Sequence, residues 1–167
     1  MSKSMPHEKN FKGVIMKSLV LLALTSFSLM AMPKIGDKAT YQVSLSGMQF
    51  TSTVELVSFD AASNSFVQNT TTDFLGQTNV ESETVAMEDL ASDEQLDMTL
   101  SLCEGSEING KLETVTVMAG TFSACTIMGE ESSSVSMAKV PFGILKMNSM
   151  SEGMPVSLEL MSFTIGQ

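Results

Sequence analysis

Several residue types that carry much of protein chemistry are missing from this chain or nearly so. Its 167 residues include no arginine and no tryptophan, and the one histidine, His7, stands close to the N-terminus. Residues 32–167 therefore offer no Ser-His-Asp triad, no Cys-His pair and no histidine ligand for zinc or haem. With no tryptophan to stack a sugar ring, the adjacent acids Glu130 and Glu131 are a weak basis for glycoside chemistry.

Positive charge is also scarce. Lysines number 9 against 19 carboxylates, which gives a net charge of −10. Only five of those lysines, but eighteen of the acids, fall within residues 32–167. An acidic chain without arginine matches the phosphate backbone of nucleic acids poorly, so we expect no nucleic-acid partner.

The longest apolar run lies near the N-terminus and has the form of an export signal. Lys17 precedes an apolar stretch that ends at Ala31, and the stretch is shorter than the roughly 20 residues that a membrane span needs. We predict cleavage near Ala31, with residues 1–31 forming an upstream extension and signal peptide. Residues 32–167 then form a single exported β domain, periplasmic or secreted in a bacterium, with no transmembrane span. The alternative is a buried helix of the domain itself.

The chain has two cysteines, Cys103 and Cys125. An oxidising compartment favours joining them, and the resulting bond would contribute on the order of 3 kcal/mol through loop-closure entropy. A redox-active or metal-binding pair is the alternative, but the C-x-x-C spacing and a histidine partner are both missing. We predict a structural disulfide.

Alternation of apolar and polar residues dominates residues 32–167, as expected for strands with one buried face. The pattern runs from Ala39 to Leu45, breaks at Ser46-Gly47 and resumes at Met48. We predict a mainly β fold, an open curved antiparallel sheet or half-barrel with at most one short helix, whose first four strands form a meander. The predicted strands cover residues 39–45, 48–56, 65–74, 78–86, 111–118, 121–128, 133–140, 144–150 and 155–165.

An acidic segment interrupts the strands. Residues Met87 to Glu94 have the composition of a short helix or connector, and every second residue from Leu96 to Leu102 is apolar, which predicts a further strand from Leu96 to Cys103. The acids between Glu88 and Asp97 could bind calcium, but their spacing is not that of an EF-hand loop. We favour a solvated helix end.

Two other patterns invite a functional interpretation. Met147, Met150 and Met154 resemble a thioether set for Cu(I), yet Met147 and Met150 fall on opposite faces of a strand, which favours flexible packing. Residues Ser136 to Lys139 spell S-x-x-K without the S-D-N and K-T-G companions of penicillin-recognising enzymes. We predict no catalytic residue, metal or cofactor, and an enzyme is the least favoured class.

The second half of the chain carries one extended pattern, with Ala119–Phe122 between the two cysteines and Val140–Lys146 after them. These motifs resemble a group of exported bacterial domains of unknown function, marked by an AGTF turn and a VPxGxxK strand. The resemblance covers residues 103–160. It implies a fold similar to the periplasmic lipoprotein carriers, which are curved antiparallel sheets with a hydrophobic concavity. The chain departs from the group at Val135 and Met137, where an aromatic residue is common.

Two functions follow from these features. The concave face could hold an apolar ligand such as a lipid or a lipoprotein acyl chain, because each buried methylene contributes about 0.8 kcal/mol. Alternatively, the chain is an envelope structural or protein-interaction module that binds another envelope protein and no small ligand. An open apolar groove would favour the first function, and a packed core the second. The residues predicted to line the concavity are Phe50, Val54, Leu56, Phe66, Met98, Leu100, Met147 and Leu158.

Overall fold

Nine antiparallel strands form one open sheet in the computed structural model, which describes residues 33–90, 92–151 and 153–167. The predicted signal peptide and its cleavage site lie outside the described residues. The strands are β1 (Lys38–Leu45), β2 (Met48–Asp60), β3 (Ser65–Phe74), β4 (Gln77–Ala86), β5 (Gly110–Val117), β6 (Gly120–Met128), β7 (Ser134–Met137), β8 (Ile144–Ser151) and β9 (Met154–Thr164).

The strand order across the sheet is β4-β3-β2-β1-β9-β8-β7-β6-β5. Strands that follow one another in the chain therefore pair with each other, except for β4 and β5. In addition, β1 pairs with β9 and brings the two ends of the domain together in the middle of the sheet. This arrangement confirms the predicted mainly β class and the meander of the first four strands. It also makes β4 and β5 the two edges of the sheet.

Two tight turns set the register of the meander. Ser46 and Gly47 join β1 to β2 with φ angles of 51° and 85°, and Leu75 and Gly76 join β3 to β4 with φ angles of 52° and 78°. Two consecutive residues with positive φ form the type I′ turn, whose twist matches that of paired strands. Each turn therefore continues the alternation of buried and exposed residues from one strand to the next.

The core lies against one face of the sheet. Tyr41 on β1 sits between Ser52 of β2 and Leu160 of β9, and all three are at most 2% exposed. Neighbouring rows of buried side chains continue this face along the central strands. The alternation seen in the sequence thus corresponds to one packed face and one solvated face.

The strand predicted from Leu96 to Cys103 is wrong, because this segment forms helix α1 (Asp93–Ser101). Ser92 caps it: its Oγ accepts the Gln95 N–H at 3.2 Å, and Gln95 Oε1 accepts the Ser92 N–H at 2.7 Å. Such a capping box fixes the first turn of a helix and outweighs the alternating pattern. The acidic segment before it contains a single 3₁₀ turn, Met87–Asp89.

The apolar residues of α1 follow a helical period. Leu96 is fully buried and Leu100, four residues later, packs against the core, whereas Met98 is 56% exposed and Leu102 after the helix is 43% exposed. Residues spaced by four share one face of a helix, so the same sequence suits a helix with one buried stripe. No helix among the described residues has the length and apolar character needed to cross a bilayer.

Strand β7 is shorter than the predicted strand over 133–140. The chain turns after Met137, where the Ala138 N–H donates to the Gly143 carbonyl and the Gly143 N–H to the Val140 carbonyl, both at 2.8 Å. Phe142 and Gly143 both take positive φ values, of 65° and 70°, which extended backbone does not allow.

Candidate functional site

Most residues predicted to line an apolar concavity are packed inside the protein. Six of the eight are between 0% and 7% exposed and belong to the hydrophobic core. These six are Phe50, Val54, Leu56, Phe66, Met147 and Leu158. The other two lie on α1, where Leu100 is partly buried against the core and Met98 is exposed. A role for any of the eight in ligand binding stays a prediction.

The predicted disulfide joins the segment after α1 to the sheet. Cys103 and Cys125 are bonded with their Cα atoms 5.6 Å apart, and both are almost fully buried. Gly110, the first residue of β5, lies against the bond: a Cβ there would stand 2.8 Å from the Cys125 Sγ and 2.9 Å from the Cys103 Sγ. The bond therefore anchors one end of β5 as well as the end of the helical segment.

Two buried hydroxyl groups lie side by side within the core. Tyr41 and Ser52 are directly paired across β1 and β2, and neither the Tyr41 OH nor the Ser52 Oγ has a hydrogen-bond partner among the described residues. Burial raises the pKa of Tyr41 far above its ordinary value, because the charged form would lose its water. The tyrosine is therefore neutral, and its ring packs in the core while its hydroxyl has no hydrogen-bond partner among the described residues.

Strand β4 is an unusually regular sheet edge. Its 10 residues pair with β3 in ten consecutive steps without a bulge, and no strand of the described chain pairs along its other side. Alternate backbone N–H and C=O groups of an edge strand point away from the sheet and can pair with another chain. The strand contains neither proline nor lysine, which natural edge strands often use to block such pairing.

Acidic side chains mark one face of this edge. Glu81 and Glu83 lie two residues apart, so both point to the same face as their partners across the ladder, Thr70 and Gln68. Gln68 is 5% exposed and is itself paired with the core residue Leu56, which places the two acids at the border of the packed face.

Partial burial shifts the pKa of one of these acids, Glu83. The pKa of Glu83 lies above its ordinary value, chiefly because partial burial removes water from the carboxylate. A hydrogen bond that Gln68 Nε2 donates to Glu83 Oε1 at 2.7 Å lowers the pKa in part, and the nearby charge of Glu81 raises it further. The carboxylate is therefore less stable there than in water. An added positive charge would stabilise it.

The opposite edge, β5, also pairs without a bulge, but it differs from β4 in length and in carrying a lysine. It has 8 residues and carries Lys111, whose Nζ pairs with Glu113 Oε2 at 2.7 Å. The hairpin it forms with β6 folds against β9, because the Ala119 N–H donates to the Leu160 carbonyl at 3.2 Å. Strand β5 therefore begins against the disulfide and is followed, two residues after its end, by the hydrogen bond from Ala119 to Leu160.

A small cavity of about 220 Å³ lies at one end of the sheet, between the β1–β2 turn, β8 and β9. Its lining combines polar side chains, among them Ser44, Asn148 and Ser157, with apolar surface that includes Met150 and Pro155. The described residues that line it carry no charge and offer neutral hydrogen-bonding groups and apolar surface.

Ser136 and Lys139, the two residues of the S-x-x-K pattern, do not hydrogen-bond to each other but bind different side chains. The Ser136 Oγ and the Thr126 Oγ1 lie 2.9 Å apart in a hydrogen bond between β6 and β7, while the Lys139 Nζ pairs with Asp97 of α1 at 2.5 Å. The described residues contain no group of three or more histidines, cysteines or acids that could hold a metal ion.

Sequence reasoning identified the disulfide and missed the acidic edge. The alternating acids Glu81 and Glu83 stand within a predicted strand, so their common face could be derived from the period of two. That β4 forms an edge could not be derived, because it depends on β4 pairing with β3 and with no other strand of the described residues.

Comparison with known proteins identifies the fold. No protein-family model matches the chain, and no curated protein matches it in sequence. MucB in complex with MucA(peri) is similar with a TM-score of 0.51 and 10% identity, over 88% of this chain and 55% of that one. The match to the MucA/MucB complex of Pseudomonas aeruginosa has a TM-score of 0.49 and 9% identity, over 79% of this chain and 53% of that one.

A protein with a YmcC-like fold from Bacteroides fragilis also aligns, with a TM-score of 0.49 and 12% identity, over 82% of this chain and 99% of that one. The chain thus spans just over half the length of the MucB chains that it matches. At these identities the likeness concerns the fold alone, a curved antiparallel sheet.

Proposed function

We propose that this chain is an exported, non-enzymatic β domain that binds an extended segment of a partner protein, which pairs with β4 as a tenth strand. The observation that carries this proposal is the long, bulge-free edge of β4, along which no strand of the described residues pairs. In strand addition, backbone hydrogen bonds supply affinity and alternate side chains supply specificity. The partner class is therefore a flexible or strand-forming protein segment.

The packed core supports protein binding over an apolar carrier function. Six of the eight residues predicted to hold an acyl chain fill the space against the buried face of the sheet, and a lipid tail would have to displace them. The outer side of β4, by contrast, pairs with no other strand of the described residues. A predicted lipid or acyl ligand is accordingly the less supported candidate.

Export and lack of catalysis rest on separate observations. The buried disulfide is typical of proteins from oxidising compartments, in agreement with the signal-like N-terminal run. The inventory of residues 32–167 lacks histidine and arginine, and Ser136 and Lys139 are engaged with other partners. The fold is compatible with protein binding, since the MucB chain of similar fold has been crystallised in complex with MucA(peri).

Selection of peptides from a displayed library against the purified protein tests the proposal. The matched variants are Val80→Lys on β4 and Thr116→Lys on β5, both at exposed positions of an edge strand. A lysine on an edge strand opposes the addition of a further strand. We expect Val80→Lys to weaken the selected peptides by about tenfold or more and Thr116→Lys to leave them unchanged. Equal losses in both variants, or no peptides selected, would contradict strand addition at β4.

A further inference from the structure

We propose that the segment bound at β4 carries two apolar residues five positions apart, one packed against Val85 and the other against Val80. This inference rests on the proposed function and specifies the sequence of the partner. Because the side chains of a strand alternate between its faces, an odd spacing places the two residues on opposite sides of the extended sheet. The two valines of β4 have this same spacing.

Val85 ends an apolar row that crosses three strands. Phe59 of β2 pairs with Phe66 of β3, a buried core residue, and Phe66 pairs with Val85. The rings of Phe59 and Phe66 have their centroids 4.7 Å apart, and Val85 packs against the core at the end of the row. An added strand places one side chain directly opposite Val85, with the two Cβ atoms about 5 Å apart. An aromatic or branched aliphatic side chain at that position would continue the row.

Val80 lies on the opposite face of β4, where it is 56% exposed. The side chains on either side of it are engaged within the sheet, since Thr78 donates a hydrogen bond to Asp73 Oδ1 and Ser82 donates one to Asn69 Oδ1 at 2.6 Å. Val80 is therefore the position on this face that an apolar residue of the partner would contact. A β-branched residue suits it, because such residues pack well on a pleated, half-buried surface.

A strand that runs along β4 contacts both valines at once. The five steps between Val80 and Val85 span about 17 Å, and the two side chains leave the sheet in opposite directions. A folded domain resting on one face of the sheet would cover one valine and leave the other uncovered. An added strand lies in the plane of the sheet and presents alternate residues to each face. The positions of the two valines thus favour an extended segment as the occupant of this edge.

Fluorescence anisotropy with labelled peptides of the length of β4, 10 residues, tests this inference. All peptides have a background of serine. One carries isoleucine at its second and seventh positions, another carries isoleucine at its second and sixth positions, and a third carries no isoleucine. The first two have the same composition, so a difference between their affinities reports the spacing alone.

Three protein variants assign the contacts to individual residues. Val85→Thr and Val80→Thr each remove an apolar side chain from β4. Val115→Thr is the matched control, since it makes the same change at a partly buried valine of the other edge strand, β5. Peptides with a single isoleucine, at the second or at the seventh position, complete the thermodynamic cycles that isolate each pair.

We expect the peptide with a spacing of five to bind about fivefold tighter than the peptide with a spacing of four, and about tenfold or more tighter than the serine peptide. Val85→Thr should abolish the gain from one isoleucine and Val80→Thr the gain from the other, whereas Val115→Thr should keep both gains.

Equal affinities for the two spacings, or equal effects of the three substitutions, would overturn the inference and leave strand addition standing. The inference also fails if none of these peptides binds while peptides selected from the displayed library do. If the library yields no peptide, or if Val80→Lys and Thr116→Lys weaken the selected peptides equally, the proposed function fails as well.

Discussion

The contact between Gly110 and the disulfide makes a prediction that depends on steric overlap alone. In a Gly110→Ala protein, the new Cβ would lie 2.8 Å from the Cys125 Sγ, 2.9 Å from the Cys103 Sγ and 3.0 Å from the Cys103 carbonyl oxygen. None of these atoms is the end of a flexible side chain, since the bond holds both sulfurs. The backbone of β5 must therefore shift.

Two contributions to the free energy of unfolding determine the expected result: the cost of overpacking at Gly110 and the stabilisation by the disulfide. Overpacking of a rigid site costs about 1–3 kcal/mol. The bond joins residues 22 positions apart in the chain, and closing such a loop stabilises the folded state by about 3 kcal/mol in the chain-entropy account. In a Cys103→Ala/Cys125→Ala protein, the two sulfur overlaps disappear and only the carbonyl contact is left. Gly110→Ala should therefore cost less in that background.

Urea unfolding of four proteins measures this coupling: the wild type, Gly110→Ala, the double alanine variant of the cysteines, and the combination of all three changes. We expect the free energy of unfolding lost through Gly110→Ala to be larger by about 1 kcal/mol or more when the disulfide is present. Equal losses in both backgrounds would refute the steric argument. In that case the glycine would be required for backbone reasons unrelated to the bond.

Three further changes test other parts of the structure by the same assay. Tyr41→Phe removes a buried hydroxyl without a partner and should stabilise the protein by about 1 kcal/mol; a loss of stability would contradict this. The buried carboxylate of Asp37 accepts hydrogen bonds from the Lys34 N–H at 2.7 Å and the Gly166 N–H at 2.8 Å. Asp37→Ala should therefore lower the free energy of unfolding by about 3 kcal/mol. A loss below about 1 kcal/mol would show that these two hydrogen bonds are not needed for stability. The pKa of Glu83 is raised in the folded state, so its contribution to stability is greatest at low pH and falls as the pH rises through that pKa. Glu83→Gln should therefore gain stability relative to the wild type on going from about pH 4 to pH 7, and a pH-independent difference would contradict the shift.

The strands could be predicted from the sequence because one face of each is buried. From Ala39 to Leu45 the apolar residues alternate with polar ones, and the same positions are buried in the structure. The type I′ turn at Ser46-Gly47 was visible as an interruption of that pattern. Local periodicity and turn residues thus determine most of the strand boundaries.

Helix α1 shows where that reasoning fails. Leu96, Met98, Leu100 and Leu102 satisfy a period of two, but the subset Leu96 and Leu100 equally satisfies a helical spacing. The deciding signal was the capping box that begins at Ser92. Where two periods fit a short segment, the residues that begin it carry more information than the apolar pattern.

The candidate interaction surface could be predicted only in part. That Glu81 and Glu83 share a face follows from their spacing in a strand. That this strand ends the sheet follows from the order of all nine strands, in which β1 pairs with the distant β9 and β4 does not pair with β5. Such long-range pairing depends on how all strands pack together, and a local pattern does not encode it.

Amide hydrogen exchange of the protein, alone and with a saturating amount of a peptide selected against it from the displayed library, tests the central claim most directly. Strand addition at β4 predicts slower exchange within residues 77–86, where outward-facing amides gain hydrogen-bond partners, and unchanged exchange within residues 110–117 of β5. Unchanged exchange in β4, or equal protection of both edges, would contradict the assignment of β4 as the binding edge.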